Sequence, residues 1–143
     1  MPEPLPRLLF VCVENSCRSQ MAEGFARALG QGRVTASSAG SKPSGQVNPR
    51  AIQFMREQGI DLAAQRSKGL DELPAGPWDT VVTMGCRDAC PHLPARHRLD
   101  WDLPDPKHLD DDAFRAVRDR IRLLVHGLIA EAAPASATNE PRS

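Results

Sequence analysis

Near the start of this chain the side-chain period changes abruptly, and that change limits the folds open to it. Arg7-Leu8-Leu9-Phe10-Val11-Cys12 is a short apolar run suited to a buried strand. Val13-Glu14-Asn15-Ser16-Cys17 breaks the run. From Arg18 the spacing is helical, with Met21, Ala22, Phe25, Ala26 and Leu29 on one face. A strand, a short loop and a helix in this order aim backbone N–H groups at one point beyond the strand.

The alternation continues. Gly30 and Gly32 stop the first helix, and Arg33–Ala39 reads as a second strand. Asn48 followed by Pro49 is a helix start, with Ala51, Ile52 and Met55 as its apolar stripe and Gly59 as its end. Arg66–Leu73 suits a short strand and one helical turn. Asp79–Met84 is another buried strand, Cys86–Pro94 a loop, and Arg98–Trp101 a short fourth strand. Asp110-Asp111-Asp112 opens a long helix, acids at its positive end, with Phe114, Val117, Ile121, Leu124 and Leu128 along one side. Strands alternating with helices predict an α/β fold with a parallel sheet covered on both faces. One domain is expected over residues 1–131, with a disordered tail over 132–143 that is small, polar and proline-containing.

Charge composition excludes several classes of partner. Lys plus Arg and Asp plus Glu are both 18, so no basic excess points to nucleic acid. No apolar run approaches the ~18 residues of a membrane helix. The first residues lack the layout of a signal peptide, so a cytoplasmic protein is expected. Four cysteines in such a chain suggest reactive or metal-bound thiols rather than a disulfide framework.

Cys12 ends the first strand and Arg18 opens the helix, with five residues between. The amides of Val13, Glu14, Asn15, Ser16, Cys17 and Arg18 can curl around a tetrahedral oxyanion, and Arg18 can add a charged fork on two of its oxygens. Cys12 would lie beneath the central atom, where a helix N-terminus and an Arg favour the thiolate. Ser19 is placed to donate a hydrogen bond to that sulfur. Asn15 suits a left-handed backbone that braces the loop. Cys17 lies in the same loop and reads as structural or as an off-path disulfide partner of Cys12.

Two further groups are open on the residues alone. Cys86 and Cys90, on the loop after the third strand, could close a small disulfide, form half a zinc site with His92 and His97, or be inert. Asp105 sits between Pro104 and Pro106 as a turn residue or a positioned acid, with Asp100 and Asp102 as neighbours.

Cys12-x5-Arg18-Ser19, continued by Gln20-Met21-Ala22-Glu23, resembles the low-molecular-weight protein tyrosine phosphatase superfamily, and the continuation resembles its arsenate reductase branch. The likeness runs through Ser38-Ala39-Gly40, Asn48-Pro49, Arg66-Ser67-Lys68, Asp79–Met84 and Asp105-Pro106 to about Glu131. The resemblance implies a four-stranded parallel sheet with helices on both faces. It implies a general acid at Asp105 and a thiol relay from Cys12 to Cys86 and then Cys90. The spacing of that cysteine pair is shorter than in the thioredoxin-coupled branch. The implied activity is reduction of arsenate, a phosphate-like oxyanion, to arsenite, with thioredoxin restoring the thiols and no cofactor. The alternative within the superfamily is hydrolysis of phosphomonoesters through a Cys12 phosphocysteine. Such phosphatases need aromatic walls, yet this chain has no Tyr and carries Lys107-His108 after Asp105-Pro106. The thioredoxin-coupled branch also holds a potassium ion behind the loop. By resemblance its ligands would be Asn15, Glu23, Ser38 and an Asp where this chain has Lys68. The Lys68 ammonium is therefore expected to brace the loop in place of a metal.

Overall fold

The computed structural model describes residues 5–74, 76–85 and 93–133. Four strands, β1 (Arg7–Cys12), β2 (Thr35–Gly40), β3 (Trp78–Thr83) and β4 (Ala95–Asp100), form one sheet in the order β2-β1-β3-β4. Every pairing is parallel, with Cys12 opposite Gly40 and Val11 opposite Thr83. The α-helices are α1 (Arg18–Leu29), α2 (Pro49–Arg56) and α3 (Asp111–Ala132). Single 3-10 turns span Leu70–Glu72 and Pro106–His108. The fold is the expected α/β one.

Local chemistry accounts for the helix ends. The Asn48 side chain accepts from Arg50 N at 2.8 Å, and Pro49 supplies the first helical φ. The Asp110 side chain accepts from Ala113 N at 2.8 Å and caps α3. Gly30 caps α1, and the turn it begins, with Val34 N donating to Gly30 O at 2.9 Å, delays β2 to Thr35 rather than Arg33. β4 begins at Ala95, three residues earlier than its apolar content suggests. It is an edge strand whose Arg96, His97 and Arg98 face solvent, and charge on an edge blocks further strand pairing.

The two sheet faces are covered unequally. Leu8 and Phe10 of β1 pack into the main core with Phe25 of α1, Phe54 of α2, and Phe114 and Ile121 of α3. The Phe54 and Phe114 rings lie 4.9 Å apart. The opposite face buries Leu9, Val11, Trp78 and Val81 under Leu70 and Leu73 around the first 3-10 turn. The segment between α2 and β3 carries no long apolar stripe, so it forms one turn there rather than a helix.

β1 lies between β2 and β3, so the chain reverses its direction of travel across the sheet at β1. In such sheets ligands bind beyond the C-terminal strand ends at that reversal. The loop after Cys12 occupies this position.

Candidate active site

The loop from Val13 to Cys17 is held from outside by its own carbonyls. Cys12 O accepts from Ser41 N at 3.3 Å, Val13 O from Lys42 N at 2.8 Å, Glu14 O from Ser44 N at 3.0 Å, and Ser16 O from Asn48 N at 3.0 Å. In a planar trans peptide the N–H points opposite to the carbonyl. The amides of Val13, Glu14, Asn15 and Cys17 are therefore turned toward the cavity side. Asn15 has φ 51, the left-handed conformation that reverses the loop. Behind the loop Gly40 leaves no room for a side chain: a Cβ would lie 2.5 Å from Val13 O and 2.9 Å from Asn15 N. Cys17, the N-cap of α1, makes no side-chain cap, so the helix end stays available to an anion.

Cys12 sits at the floor, 2% exposed, with its Sγ 2.9 Å from Ser19 Oγ. Asn15 Nδ2 donates to the same Ser19 Oγ at 2.7 Å, which leaves the Ser19 proton to point at the sulfur. Asn15 Oδ1 accepts from Gln20 Nε2 at 2.8 Å and from Lys68 N at 2.9 Å. Gln65 Nε2 in turn donates to Gln20 Oε1 at 2.8 Å. Gln65 carries no local signal of a site role; Gln20 carries one, an amide within the first turn of α1 beside Arg18 and Ser19.

Arg18 is nearly buried, and its Nη1 donates to Leu103 O at 3.1 Å. Its Nη2 lies 3.9 Å from Asp105 Oδ2. Gly85 seats the guanidinium: its φ is +81, and a Cβ there would lie 2.5 Å from Arg18 Nη1. The cavity between loop and acid measures about 240 Å³ and is lined by Cys12, Val13, Glu14, Ser16, Cys17, Arg18 and Asp105. None of these is aromatic. A larger cavity, about 810 Å³, opens near Arg7, Trp78 and His97, at the start of β1 and β3 and therefore at the end of the sheet away from Cys12.

The Cys17 thiol is pushed up to about 12, first by burial and then by the Asp105 charge, so it is neutral beside Cys12. At the rim, Lys107 Nζ donates to both Glu14 carboxylate oxygens at 2.9 Å. Its hydrogen bond to Glu14, then the Glu14 charge, holds Lys107 above the usual lysine value. Deeper in the protein, Glu23 is 2% exposed. Ser38 Oγ donates to its Oε1 at 2.5 Å, Arg27 Nε to its Oε2 at 2.8 Å, and Lys68 Nζ lies 3.6 Å from Oε1.

Cys86, Cys90 and His92 lie outside the described residues, as does the segment 134–143. His97 is exposed on β4. Asp100 accepts from Thr83 Oγ1 at 2.8 Å, at the end of β4, and Asp102 is exposed. Of the three acids in this stretch, Asp105 is the one that lines the cavity.

The family described as Low molecular weight phosphotyrosine protein phosphatase matches residues 7–137. A Synechocystis protein named glutaredoxin arsenate reductase is 39% identical over 130 residues, covering 89% of this chain and 98% of its own. A Staphylococcus xylosus protein named arsenate reductase is 40% identical over 122 residues, covering 82% of this chain and 92% of its own. A solved structure described as an arsenate reductase in the phosphate binding state superposes with a TM-score of 0.81 at 38% identity, covering 90% of this chain and 100% of its own.

Proposed function

The chain belongs to the low molecular weight phosphotyrosine protein phosphatase family, and from that premise we propose that it is an arsenate reductase working through Cys12, Cys86 and Cys90. One observation carries the relay most directly. Gly85, the residue before Cys86, lies against the Arg18 guanidinium, so the described chain reaches the oxyanion cradle one residue before the second thiol. Relatives and a solved structure that bear the name arsenate reductase support the substrate.

Arsenate enters the cradle as a phosphate-like anion, its oxygens on the loop amides and the Arg18 fork. The Cys12 thiolate attacks arsenic, and an arsenate oxygen leaves as water with a proton from Asp105. The product is a covalent sulfur–arsenic(V) adduct. The Cys86 thiolate then attacks Cys12 Sγ, forming a disulfide. The electron pair of the sulfur–arsenic bond passes to arsenic, which leaves as arsenite. Cys90 attacks Cys86, the disulfide moves to Cys86–Cys90, and Cys12 returns as thiolate. Two thiols have supplied the two electrons, and an external dithiol resets the pair. Thioredoxin is the proposed donor; the name of the Synechocystis relative makes glutaredoxin the rival. This chemistry belongs in a reducing cytoplasm, and no helix among the described residues is long and apolar enough to cross a membrane.

The Lys68 ammonium is proposed to brace the loop from behind. It faces Glu23, while the Lys68 backbone N–H fixes Asn15. With Lys68, Arg27 and Ser38 already on the Glu23 carboxylate, a potassium ion does not fit there. Phosphomonoester hydrolysis through a Cys12 phosphocysteine needs the same first step, but the cavity offers no aromatic wall to an aryl ester, so it is assigned as a weak side activity.

The test is arsenite production by the purified protein, with thioredoxin, glutaredoxin or a small thiol as reductant. Multiple turnovers with thioredoxin and its reductase are expected. Turnover only with a small thiol would overturn the relay.

A further inference from the structure

Lys107 and Glu14 join two loops far apart in sequence through their side-chain charges. Glu14 belongs to the oxyanion loop and lines the cavity. Lys107 follows Asp105-Pro106, and its ammonium bonds both Glu14 oxygens at 2.9 Å. Both side chains are about one-third exposed, 32% for Lys107 and 39% for Glu14, so the pair is only partly shielded from water.

The Lys107 backbone makes two further bonds. Its N–H donates to Asp105 Oδ1 at 3.1 Å. Its carbonyl accepts from Arg50 Nη1 at 3.2 Å, and Arg50 Nη2 donates to Asp111 Oδ1 at 3.0 Å. One residue therefore holds the Asp105 carboxyl by its main chain, the oxyanion loop by its side chain, and the starts of α2 and α3 through Arg50. Arg18 approaches the other Asp105 oxygen only to 3.9 Å, beyond hydrogen-bond reach. Asp105 is itself exposed, so few neighbours fix its position over the cradle.

We propose that the Glu14–Lys107 ion pair is a latch that fixes Asp105 over the oxyanion, and that Lys107 is a positioning residue for the general acid. The inference rests on the role proposed above for Asp105. The latch also balances charge. Glu14, a lining residue, brings a negative charge to a site built for an anion, and Lys107 neutralises it. Breaking the pair from its two ends should thus have one effect in common and one that differs. Either break frees Asp105 and lowers kcat. Lys107→Met leaves Glu14 uncompensated and raises KM for arsenate, whereas Glu14→Gln removes the repelling charge and leaves KM unchanged or lower.

The experiment measures kcat and KM for arsenate in Lys107→Met, Lys107→Arg, Glu14→Gln and Asp105→Asn, and in Lys107→Met combined with Asp105→Asn. General acids contribute about 10²–10⁴-fold, and a misplaced one retains part of that, so Lys107→Met should lower kcat by about 10-fold. Lys107→Arg should recover most of the loss. In the Asp105→Asn background Lys107→Met should lower kcat no further, because its effect passes through the acid. A kcat loss of the same size in that background overturns the inference. Undiminished turnover by Asp105→Asn itself refutes the acid role on which the inference rests. The pair is also read without turnover, by NMR titration of the Lys107 side chain. Its ammonium should titrate above an ordinary lysine in the wild type and return toward one in Glu14→Gln. No difference between the two overturns the latch whatever the protein reduces.

Discussion

Replacing Gly40 by Ala tests whether the backbone cradle itself binds the oxyanion. Gly40 ends β2 opposite Cys12, and its open side faces the back of the loop. An added Cβ would stand 2.5 Å from Val13 O, whereas ordinary contact begins at 3.4 Å, so the loop must retreat by about 0.9 Å. The two nearest atoms are main chain and the third is the Asn15 Cβ, so no flexible side-chain end can move aside. Overpacking of this kind costs about 1–3 kcal/mol, which lowers Tm by about 3–9 °C in a chain of this size. The functional loss is larger. A hydrogen bond to a charged group is worth about 1.5–3 kcal/mol, so losing the Asn15 amide weakens phosphate about 10- to 100-fold. A displacement near 1 Å at the reacting centre lowers turnover by about 10²-fold. Thermal melting establishes that Gly40→Ala is folded, calorimetric titration with inorganic phosphate gives the affinity, and arsenate turnover gives the rate. A folded variant that binds phosphate within about twofold of the wild type would refute the cradle geometry.

Two further predictions concern charge. Turnover should not depend on potassium at constant ionic strength, and Lys68→Asp should lower it with partial rescue by potassium; strong activation of the wild type by potassium would contradict the Lys68 brace. Glu57 joins α2 to α3 through Arg115 and Arg118, and those hydrogen bonds lower its pKa from 4.5 to about 2. A folded-state pKa below the unfolded one gives stability that is complete above pH 4.5 and lost as pH falls toward about 2. Glu57→Gln should therefore lose stability at neutral pH and show a shallower acid-side decline, read by denaturant melts across that range.

Much of the fold was legible because its signals are local. The apolar run into Cys12, the Asn48-Pro49 start and the Asp110-Asp111-Asp112 start of α3 each depend on neighbours in sequence, and the structure places all three there. β4 looks short in sequence because an edge strand needs little apolar content, and its Arg96, His97 and Arg98 resemble a loop. Cys12 and Arg18 were legible in the site because the strand-to-helix switch fixes their separation. Gly85 carries no local signal of its role, since nothing nearby in sequence shows that it meets Arg18, 67 positions away. The Glu14–Lys107 pair was hidden for the same reason, spanning 93 positions. Gln65 is silent in sequence because it bonds Gln20 from 45 positions away.

The order of thiol transfer is tested most directly by the Cys90→Ser variant. The relay predicts that this protein, given arsenate with thioredoxin and its reductase present, releases about one arsenite per chain and stops while the wild type continues, since Cys86 completes its attack on Cys12 and no third thiol moves the disulfide to where the reductant resets it. Peptide mapping of the stopped protein should find a Cys12–Cys86 disulfide. Sustained turnover, or a stopped protein without that bridge, would contradict the relay.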